Sequence, residues 1–313
     1  MARSTPTPVA VSGAPPRDAA RRSVAANLFI SLRPRQWTKN LLVFAGVLFG
    51  LRLFDAGAVA RAWAAFVIFC ALSGTVYLIN DIVDRESDRR HPAKAQRPIA
   101  AGVLPVGTAA AAAAVLGASA LVASLWLGRW FVATAGAYLA LQALYSGPLK
   151  HVVILDVLTL ASGFVLRAIA GAVAVNVEIS HWLLVCTLLL ALFIALAKRR
   201  NELVILADDA AGHRPILQEY SAHLLDQMIS VVTASTLIAY VFYTISPETQ
   251  AKFGTAWLGL TIPFPLYGIF RYLYLMHRRE GGGSPAEMLV NDRPLLVCVA
   301  LWAVAVALIL YQR

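Results

Sequence analysis

The chain has 313 residues, of which 59% are apolar and only 14% are charged. A soluble domain carries roughly a quarter charged residues, so this composition excludes an ordinary soluble protein and indicates a membrane protein. The net charge of +10 does not indicate a nucleic-acid partner, because the basic residues flank apolar segments. Cys70, Cys186 and Cys298 all lie inside apolar runs, which argues against a disulfide framework.

Residues 1–32 are rich in Ala, Pro, Ser and Arg and have no long apolar run, which predicts a disordered cytoplasmic tail. Residues 33–313 are predicted to form one transmembrane domain, because segments able to cross about 30 Å of hydrocarbon recur with short breaks. About nine spans are predicted, at 40–54, 59–79, 106–127, 130–146, 152–175, 181–197, 227–246, 256–276 and 294–311. The predicted fold is therefore all-α, a polytopic membrane helix bundle.

Basic residues are concentrated in alternate breaks between the predicted spans, at 80–105, 147–151, 198–226 and 277–293. Cytoplasmic loops carry an excess of Lys and Arg, so these breaks and the N-terminus are predicted to be cytoplasmic and the C-terminus external. The protein is predicted to reside in the cell membrane. A homo-oligomer is compatible with this sequence.

An acidic cluster follows the second predicted span. Asp81, Asp84 and Asp88 are spaced i, i+3, i+7, which places them within roughly 60° of one another on a helix. Asn80 lies beside Asp84, whereas Glu86 points to the opposite side. Three converging carboxylates repel one another unless a cation lies between them, and hard oxygen ligands suit Mg²⁺, which usually brings a substrate phosphate. The alternative is a solvated helix end with scattered acids.

The pattern Asn-Asp-x-x-Asp-x-x-x-Asp from Asn80 to Asp88, followed by Arg97-Pro98-Ile99 and Gly102, resembles the first Asp-rich motif of the UbiA-type membrane prenyltransferase superfamily. The resemblance covers roughly residues 33–311, because the hydrophobic segments continue in the family's way. It implies a membrane-embedded, all-helical transferase that uses Mg²⁺ and a polyprenyl substrate.

Tyr145 and Lys150 bracket a Gly-Pro turn between the fourth and fifth predicted spans. The family has a comparable loop, in which a flexible ammonium can reach a substrate phosphate. The alternative is an interfacial tyrosine beside a lysine that extends to the membrane surface, which is common at a membrane boundary.

Asp156 and Arg167 lie within one apolar segment, eleven residues apart and on nearly the same helix face. Ionisable groups inside a membrane usually face the bundle interior and mark a site. A rise of roughly 16 Å separates the two residues, so each is expected to serve its own partner along one wall of a substrate cavity. The alternative is an arginine that ties helices together.

Lys198, Arg199 and Arg200 follow the sixth predicted span. Ordinary polyprenyl-diphosphate transferases of the superfamily carry a second Asp-rich motif at the equivalent place. An acidic cluster combined with a basic one suits two phosphorylated substrates, one bound through a metal ion and one bound by Lys and Arg.

This departure resembles the decaprenyl-phosphate phosphoribosyltransferase branch, as do the runs Arg33–Asn40, Ser162–Gly171 and Asn291–Pro294. That resemblance implies transfer of 5-phosphoribose from 5-phosphoribosyl-1-diphosphate to a long polyprenyl phosphate, for synthesis of cell-wall arabinan precursors.

The resemblance also implies roles for individual residues. Asp81, Asp84 and Asp88 would hold Mg²⁺, and Asn80 would orient them. The lipid phosphate or the ribose 5-phosphate would be bound by Lys150, Lys198 and Arg199. The residues expected at the donor are Lys39, Asn40 and Arg97. Two alternatives remain open at this stage: a conventional UbiA-type prenyltransferase that joins a polyprenyl diphosphate to an aromatic or other acceptor, and a membrane transporter.

Overall fold

A computed structural model describes residues 22–91, 94–206, 215–278 and 291–311, and over these residues it contains helices and no β-strand. The α-helices are α1 Val24–Ser31, α2 Ala45–Phe49, α3 Ala56–Val83, α4 Arg85–Arg90, α5 Val106–Leu127, α6 Arg129–Ser146, α7 Leu155–Ala174, α8 His181–Leu206, α9 Ala222–Ile245, α10 Pro247–Phe253, α11 Pro263–Arg278 and α12 Arg293–Tyr311. Short 3-10 helices occupy Pro34–Phe44, Lys94–Gln96, Leu149–His151, Pro215–Glu219 and Trp257–Thr261.

Long apolar helices dominate the part of the chain that the structure describes. Six of them, α3, α5, α7, α8, α9 and α12, are long and apolar enough to cross a membrane, and the sharply bent segment 247–278 would make seven. The predicted all-α class is confirmed, and the chain is a multi-pass membrane protein. The expected count of about nine spans is not reproduced.

The predicted first span, 40–54, does not form a membrane-crossing helix. Its place is taken by the 3-10 helix Pro34–Phe44 and the five-residue helix α2. Leu51 then adopts the left-handed conformation with φ 56°, which ends regular helical geometry. Segment 130–146 does form a helix, α6, but its 18 residues are not among the six apolar helices counted over the described residues.

The predicted disordered tail lies mostly outside the described residues, which begin at residue 22. Its last part, however, is the helix α1. The Ser23 hydroxyl accepts a hydrogen bond from the backbone N–H of Ala26 at 3.2 Å and caps this helix. Leu28 packs against a buried cluster, so a serine cap and apolar burial together explain the helix that composition alone did not predict.

The chain divides into two compact units, and the first comprises residues 22–35 and 73–118 of the described chain. Its core contains Leu78, Ile99 and Leu104, each at most 1% exposed. Leu78 lies one helical turn before Asp81, and Ile99 lies two residues after Arg97. Burial of these apolar side chains therefore sets the positions of the charged groups beside them.

The second unit comprises residues 36–72 and 119–311. One of its buried clusters includes Phe69 and Phe131, another includes Phe193 and Ile229, and a third includes Tyr243. Helix α7 packs against α6 on one side and α8 on the other. This packing brings the polar side chains of α7 and α8 together inside the unit.

The backbone of α7 approaches that of the 3-10 helix Pro34–Phe44 very closely at Gly171. A Cβ atom built on Gly171 would lie only 1.9 Å from the carbonyl oxygen of Val43, and one built on Gly46 would lie 2.6 Å from the backbone nitrogen of Ala172. The 3-10 helix and α2 can approach α7 only because both positions are glycine.

We expect Gly171→Ala to lower the free energy of unfolding by about 3 kcal/mol, the upper part of the usual range for overpacking. Thermal unfolding in detergent, followed by tryptophan fluorescence, would measure the effect. Gly136 is the matched control, because a Cβ there meets nothing within 4 Å. Gly136→Ala should be neutral or slightly stabilising, and equal stability of the two variants would contradict this packing.

Candidate active site

The acidic cluster lies where α3 ends and α4 begins, in the first unit. Asp84 separates the two helices, with φ −85° and ψ 5°. The backbone N–H of Asp84 still bonds the carbonyl of Asn80 at 2.8 Å, and that of Asp88 bonds the carbonyl of Asp84 at 2.8 Å. The predicted helical spacing is therefore nearly preserved through a local break at Asp84.

Asp81 and Asp88 are the buried members of this cluster, each 2% exposed. The Nη1 atom of Arg97 lies 3.1 Å from Oδ1 of Asp81 and 2.6 Å from Oδ2 of Asp88. Arg33 donates a second hydrogen bond to Oδ1 of Asp81. Both carboxylates therefore contact the guanidinium of Arg97, and Asp81 also contacts the guanidinium of Arg33.

The structure brings together only two of the three expected metal ligands. Asp84 and Asn80 are half-buried, and over the described residues no three His, Cys, Asp or Glu side chains are grouped closely enough to hold a metal ion as they stand. Asp81 and Asp88 could hold a divalent cation between them, because both present hard oxygen atoms to one point. The metal-binding role of the three aspartates stays a prediction.

Glu86 points away from the acidic cluster, as predicted. Its side chain is 69% exposed and accepts a hydrogen bond from Arg89 at 2.9 Å. An exposed pair of this kind contributes roughly 0–1 kcal/mol. Glu86 therefore belongs to the solvated side of α4.

Glu86→Ala should leave both stability and transfer activity nearly unchanged, because its carboxylate is largely exposed and pairs only with arginines of its own helix, Arg89 at 2.9 Å and Arg85 at 4.0 Å, among the described residues. Initial rates of product formation at saturating Mg²⁺ would check this prediction. A loss of activity as large as that of an Asp88 variant would show that the two sides of α4 are misassigned.

Arg167 is buried in the second unit and is 5% exposed. Its Nε atom donates to Oδ1 of Asn40 at 2.7 Å, Nη1 donates to the carbonyl of Gly163 at 2.8 Å and Nη2 donates to the hydroxyl of Tyr138 at 3.0 Å. Arg167 therefore ties α6, α7 and the 3-10 helix together, which matches the helix-tying alternative.

Lys39 and Asn40 were both predicted to contact the phosphoribosyl donor, but they differ in solvent exposure. Asn40 is fully buried, whereas Lys39 is exposed.

Asp156 has partners different from those of Arg167, as the helical rise predicted. Its Oδ2 atom accepts from Nε of Arg199 at 2.9 Å, and its Oδ1 atom accepts from the hydroxyl of Tyr220 at 2.8 Å. Arg199 also donates to Glu202 at 2.8 Å. Burial raises the pKa of Tyr220 to about 12, so this hydroxyl remains a donor to Asp156 at neutral pH.

The structure places Arg199, which the sequence predicted to bind a substrate phosphate, against two carboxylates, and its substrate-binding role stays a prediction. Arg199 is 1% exposed, and its Nη2 atom is buried without a hydrogen-bond partner among the described residues. The other two cations also have carboxylate partners: Lys198 lies 3.7 Å from Glu202, and Arg200 pairs with Asp226. Lys198 is the most exposed of the three, at 51% of its side chain.

The predicted loop residues Tyr145 and Lys150 are both half-buried. Tyr145 interacts electrostatically with Arg199, which connects this loop to the buried ion pair of α7 and α8. Their substrate-binding roles stay predictions.

Two charged residues outside the predicted site residues, Arg33 and Glu202, contact members of that set. Arg33 was part of a recognised run, but nothing local indicates that it contacts Asp81, 48 residues further along the chain. Glu202 was detectable, because it lies one helical turn after Lys198 and Arg199, where opposite charges pair.

The chain is similar to known proteins over nearly its whole length. The model of the UbiA prenyltransferase family matches residues 40–292. A decaprenyl-phosphate phosphoribosyltransferase from Mycolicibacterium smegmatis is 34% identical over 303 residues, which cover 93% of this chain and 94% of that protein. A protein of the same name from Corynebacterium glutamicum is 32% identical over 301 residues, covering 93% and 88%.

A solved structure supports the same fold. A UbiA homologue from Archaeoglobus fulgidus, bound to DMAPP and Mg²⁺, superimposes with a TM-score of 0.70 over 91% of this chain and 99% of that one. The two sequences are 19% identical, so this likeness concerns the fold alone.

Proposed function

This chain belongs to the UbiA prenyltransferase family, and we propose that it transfers 5-phosphoribose from 5-phosphoribosyl-1-diphosphate to a long polyprenyl phosphate such as decaprenyl phosphate. The observation that carries the proposal is the similarity, over 93% of the chain, to decaprenyl-phosphate phosphoribosyltransferases of two bacteria. In this reaction the bond from ribose C1 to the diphosphate breaks, a bond from C1 to a lipid phosphate oxygen forms, and diphosphate leaves.

Mg²⁺ is the proposed cofactor, and the carboxylate oxygens of the acidic cluster are ligands of the kind that it prefers. A single guanidinium nitrogen already lies within hydrogen-bonding distance of both Asp81 and Asp88, so one cationic group can contact both carboxylates. Asp84, at the break between α3 and α4, would be the third ligand. When bound, Mg²⁺ would neutralise negative charge on the departing diphosphate.

The second charged cluster supports a reaction with one acidic metal site. In polyprenyl-diphosphate transferases of this superfamily, a second Asp-rich motif follows the equivalent helix. Here Asp156 and Glu202 are both bound by Arg199, so their charge is already compensated. This arrangement favours a donor held through one acidic cluster and an acceptor that brings its own phosphate.

The acceptor phosphate is ionised near pH 7, so the protein need not supply a general base. Its contribution would be positioning and electrostatic stabilisation. We assign the donor to Arg97 and the acidic cluster of the first unit, and the lipid phosphate or ribose 5-phosphate to Lys150 and Lys198, the more accessible cations of the second unit. Arg199 and Arg167 would position the helices that carry this site.

The proposed location is the cell membrane, with the N-terminus and the charged clusters on the cytoplasmic side. The distribution of basic residues among the breaks between helices supports this orientation. A cytoplasmic site would have direct access to a water-soluble phosphoribosyl donor, while the prenyl tail of the acceptor remains in the bilayer.

Purified full-length protein in detergent with Mg²⁺ would test the proposal. One reaction would receive 5-phosphoribosyl-1-diphosphate and decaprenyl phosphate, and the other a prenyl diphosphate and an aromatic acceptor. We expect a phosphoribosylated lipid, identified by mass spectrometry, only in the first reaction. Prenyl transfer in the second reaction alone, or no turnover in either, would overturn the proposal.

A further inference from the structure

Arg33 combines an unusual backbone conformation with a contact to the acidic cluster. It follows the end of α1 and has φ 54°, in the left-handed region that glycine normally occupies after a helix. Residues held in such conformations cluster at ligand sites, because surrounding contacts maintain them. Here the next residue is Pro34, and the guanidinium of Arg33 stacks 4.7 Å from the ring centroid of Tyr77.

The guanidinium of Arg33 contacts the Asp81 oxygen that faces the point where the two carboxylates converge. Oδ1 of Asp81 accepts hydrogen bonds from both Arg33 and Arg97, and a carboxylate oxygen has two lone pairs. That oxygen can therefore bind a cation only after one of the two guanidiniums has moved away.

Arg33 is the more readily released of the two arginines. Arg97 bridges Asp81 and Asp88, whereas among the described residues Arg33 has Asp81 as its single carboxylate partner. The Arg33 side chain is 30% exposed, so it can rotate without unpacking the core.

We propose that Arg33 is a donor-binding residue, which exchanges Asp81 for the donor's diphosphate when a divalent cation binds the acidic cluster. The proposal rests on the proposed function for the presence of a diphosphate donor. Charge balance supports the exchange: two carboxylates neutralise one divalent cation, and the released guanidinium then faces the remaining negative charge of the diphosphate. Guanidinium groups bind phosphate oxygens through paired, charge-assisted hydrogen bonds.

Arg33→Gly is the informative variant, because glycine adopts the left-handed conformation without steric cost. The variant removes the guanidinium and should not strain the backbone. Arg90→Gln is the matched control, since Arg90 is exposed on α4 and its loss changes the net charge near Asp88 by the same amount.

Two titrations on full-length protein in lipid nanodiscs test the exchange without any measurement of turnover. The first follows free Mn²⁺ by electron paramagnetic resonance in the absence of phosphates. We expect Arg33→Gly to bind Mn²⁺ roughly threefold more tightly than the parent, since it loses one modest competing ion pair. The second titration adds inorganic diphosphate at saturating Mn²⁺, and there we expect roughly tenfold weaker binding, as for loss of a charge-assisted hydrogen bond.

Tighter binding of Mn²⁺ together with weaker binding of diphosphate distinguishes the proposed exchange of Asp81 for diphosphate from other roles of Arg33. Weaker binding of both Mn²⁺ and diphosphate would mean that Arg33 only supports the structure, and it would overturn the proposal. Unchanged values, or the same changes in Arg90→Gln, would also overturn it. A third titration with 5-phosphoribosyl-1-diphosphate separates this proposal from the proposed function. If the exchange is seen with inorganic diphosphate but the phosphoribosyl donor does not bind, the donor assignment fails while the role of Arg33 stands.

Discussion

Asp81→Asn should reduce Mg²⁺-dependent transfer by roughly a thousandfold, equivalent to about 4 kcal/mol of lost transition-state stabilisation. Asp81 is 2% exposed and shares Arg97 with Asp88, so it is one of the two buried carboxylates placed to hold a metal ion. Asparagine keeps the shape and one oxygen ligand but loses the charge. Initial rates measured across a range of Mg²⁺ concentrations would show the loss in kcat/KM.

The fold should survive the Asp81 substitution. Its partners Arg33 and Arg97 are 30% and 28% exposed, so both guanidiniums can turn to water. Unchanged thermal unfolding would verify this, and Asp55→Asn provides a control acid at the other end of α3. The same loss of activity is expected for Asp84→Asn and Asp88→Asn, and near-normal rates in two of these three variants would remove the metal-site assignment.

Arg199→Met should lower the free energy of unfolding by about 3–5 kcal/mol, because it leaves a buried carboxylate without its counter-charge. Asp156 is fully buried, and its remaining bond to the Tyr220 hydroxyl does not supply charge. Thermal unfolding in detergent would measure the change. The double variant Asp156→Asn/Arg199→Met should recover most of the loss, since replacing a buried pair is often close to neutral.

Lys198→Met is the matched control for Arg199→Met. It removes the same charge from the neighbouring position, but Lys198 is 51% exposed and 3.7 Å from Glu202, so the expected cost is roughly 0–1 kcal/mol. Equal stability of Lys198→Met and Arg199→Met would show that Arg199 is not the buried anchor described above. It would restore the interpretation in which both cations are available to bind substrate phosphate.

Local patterns predicted much of this protein. The apolar runs predicted the membrane helices from α3 onward, because hydrophobic length is a property of consecutive residues. The i, i+3, i+7 spacing correctly placed Asp81 and Asp88 on one side and Glu86 on the other, because helical geometry relates residues within two turns. The motif order also led to the correct family.

The same local patterns could not assign charge partners. Lys198, Arg199 and Arg200 read as a basic cluster, yet each has a carboxylate partner. The partner of Arg199, Asp156, lies 43 residues away. Pairing at that separation depends on which faces of α7 and α8 pack together. The apolar length of each helix does not specify how the helix is rotated about its own axis.

Composition and short-range spacing are sufficient to establish a helical membrane protein with an acidic cluster at the end of one span, because both are properties of neighbouring residues. Two features depend on tertiary packing instead: segment 40–54 is not a span, and Arg33 and Arg97 bind the acidic cluster. In segment 40–54 a 3-10 helix and the short helix α2 lie against α7, with a close backbone approach at Gly171. The second feature follows from contacts at close range between residues distant in sequence, which arise only when the apolar core around Leu78 and Ile99 has packed.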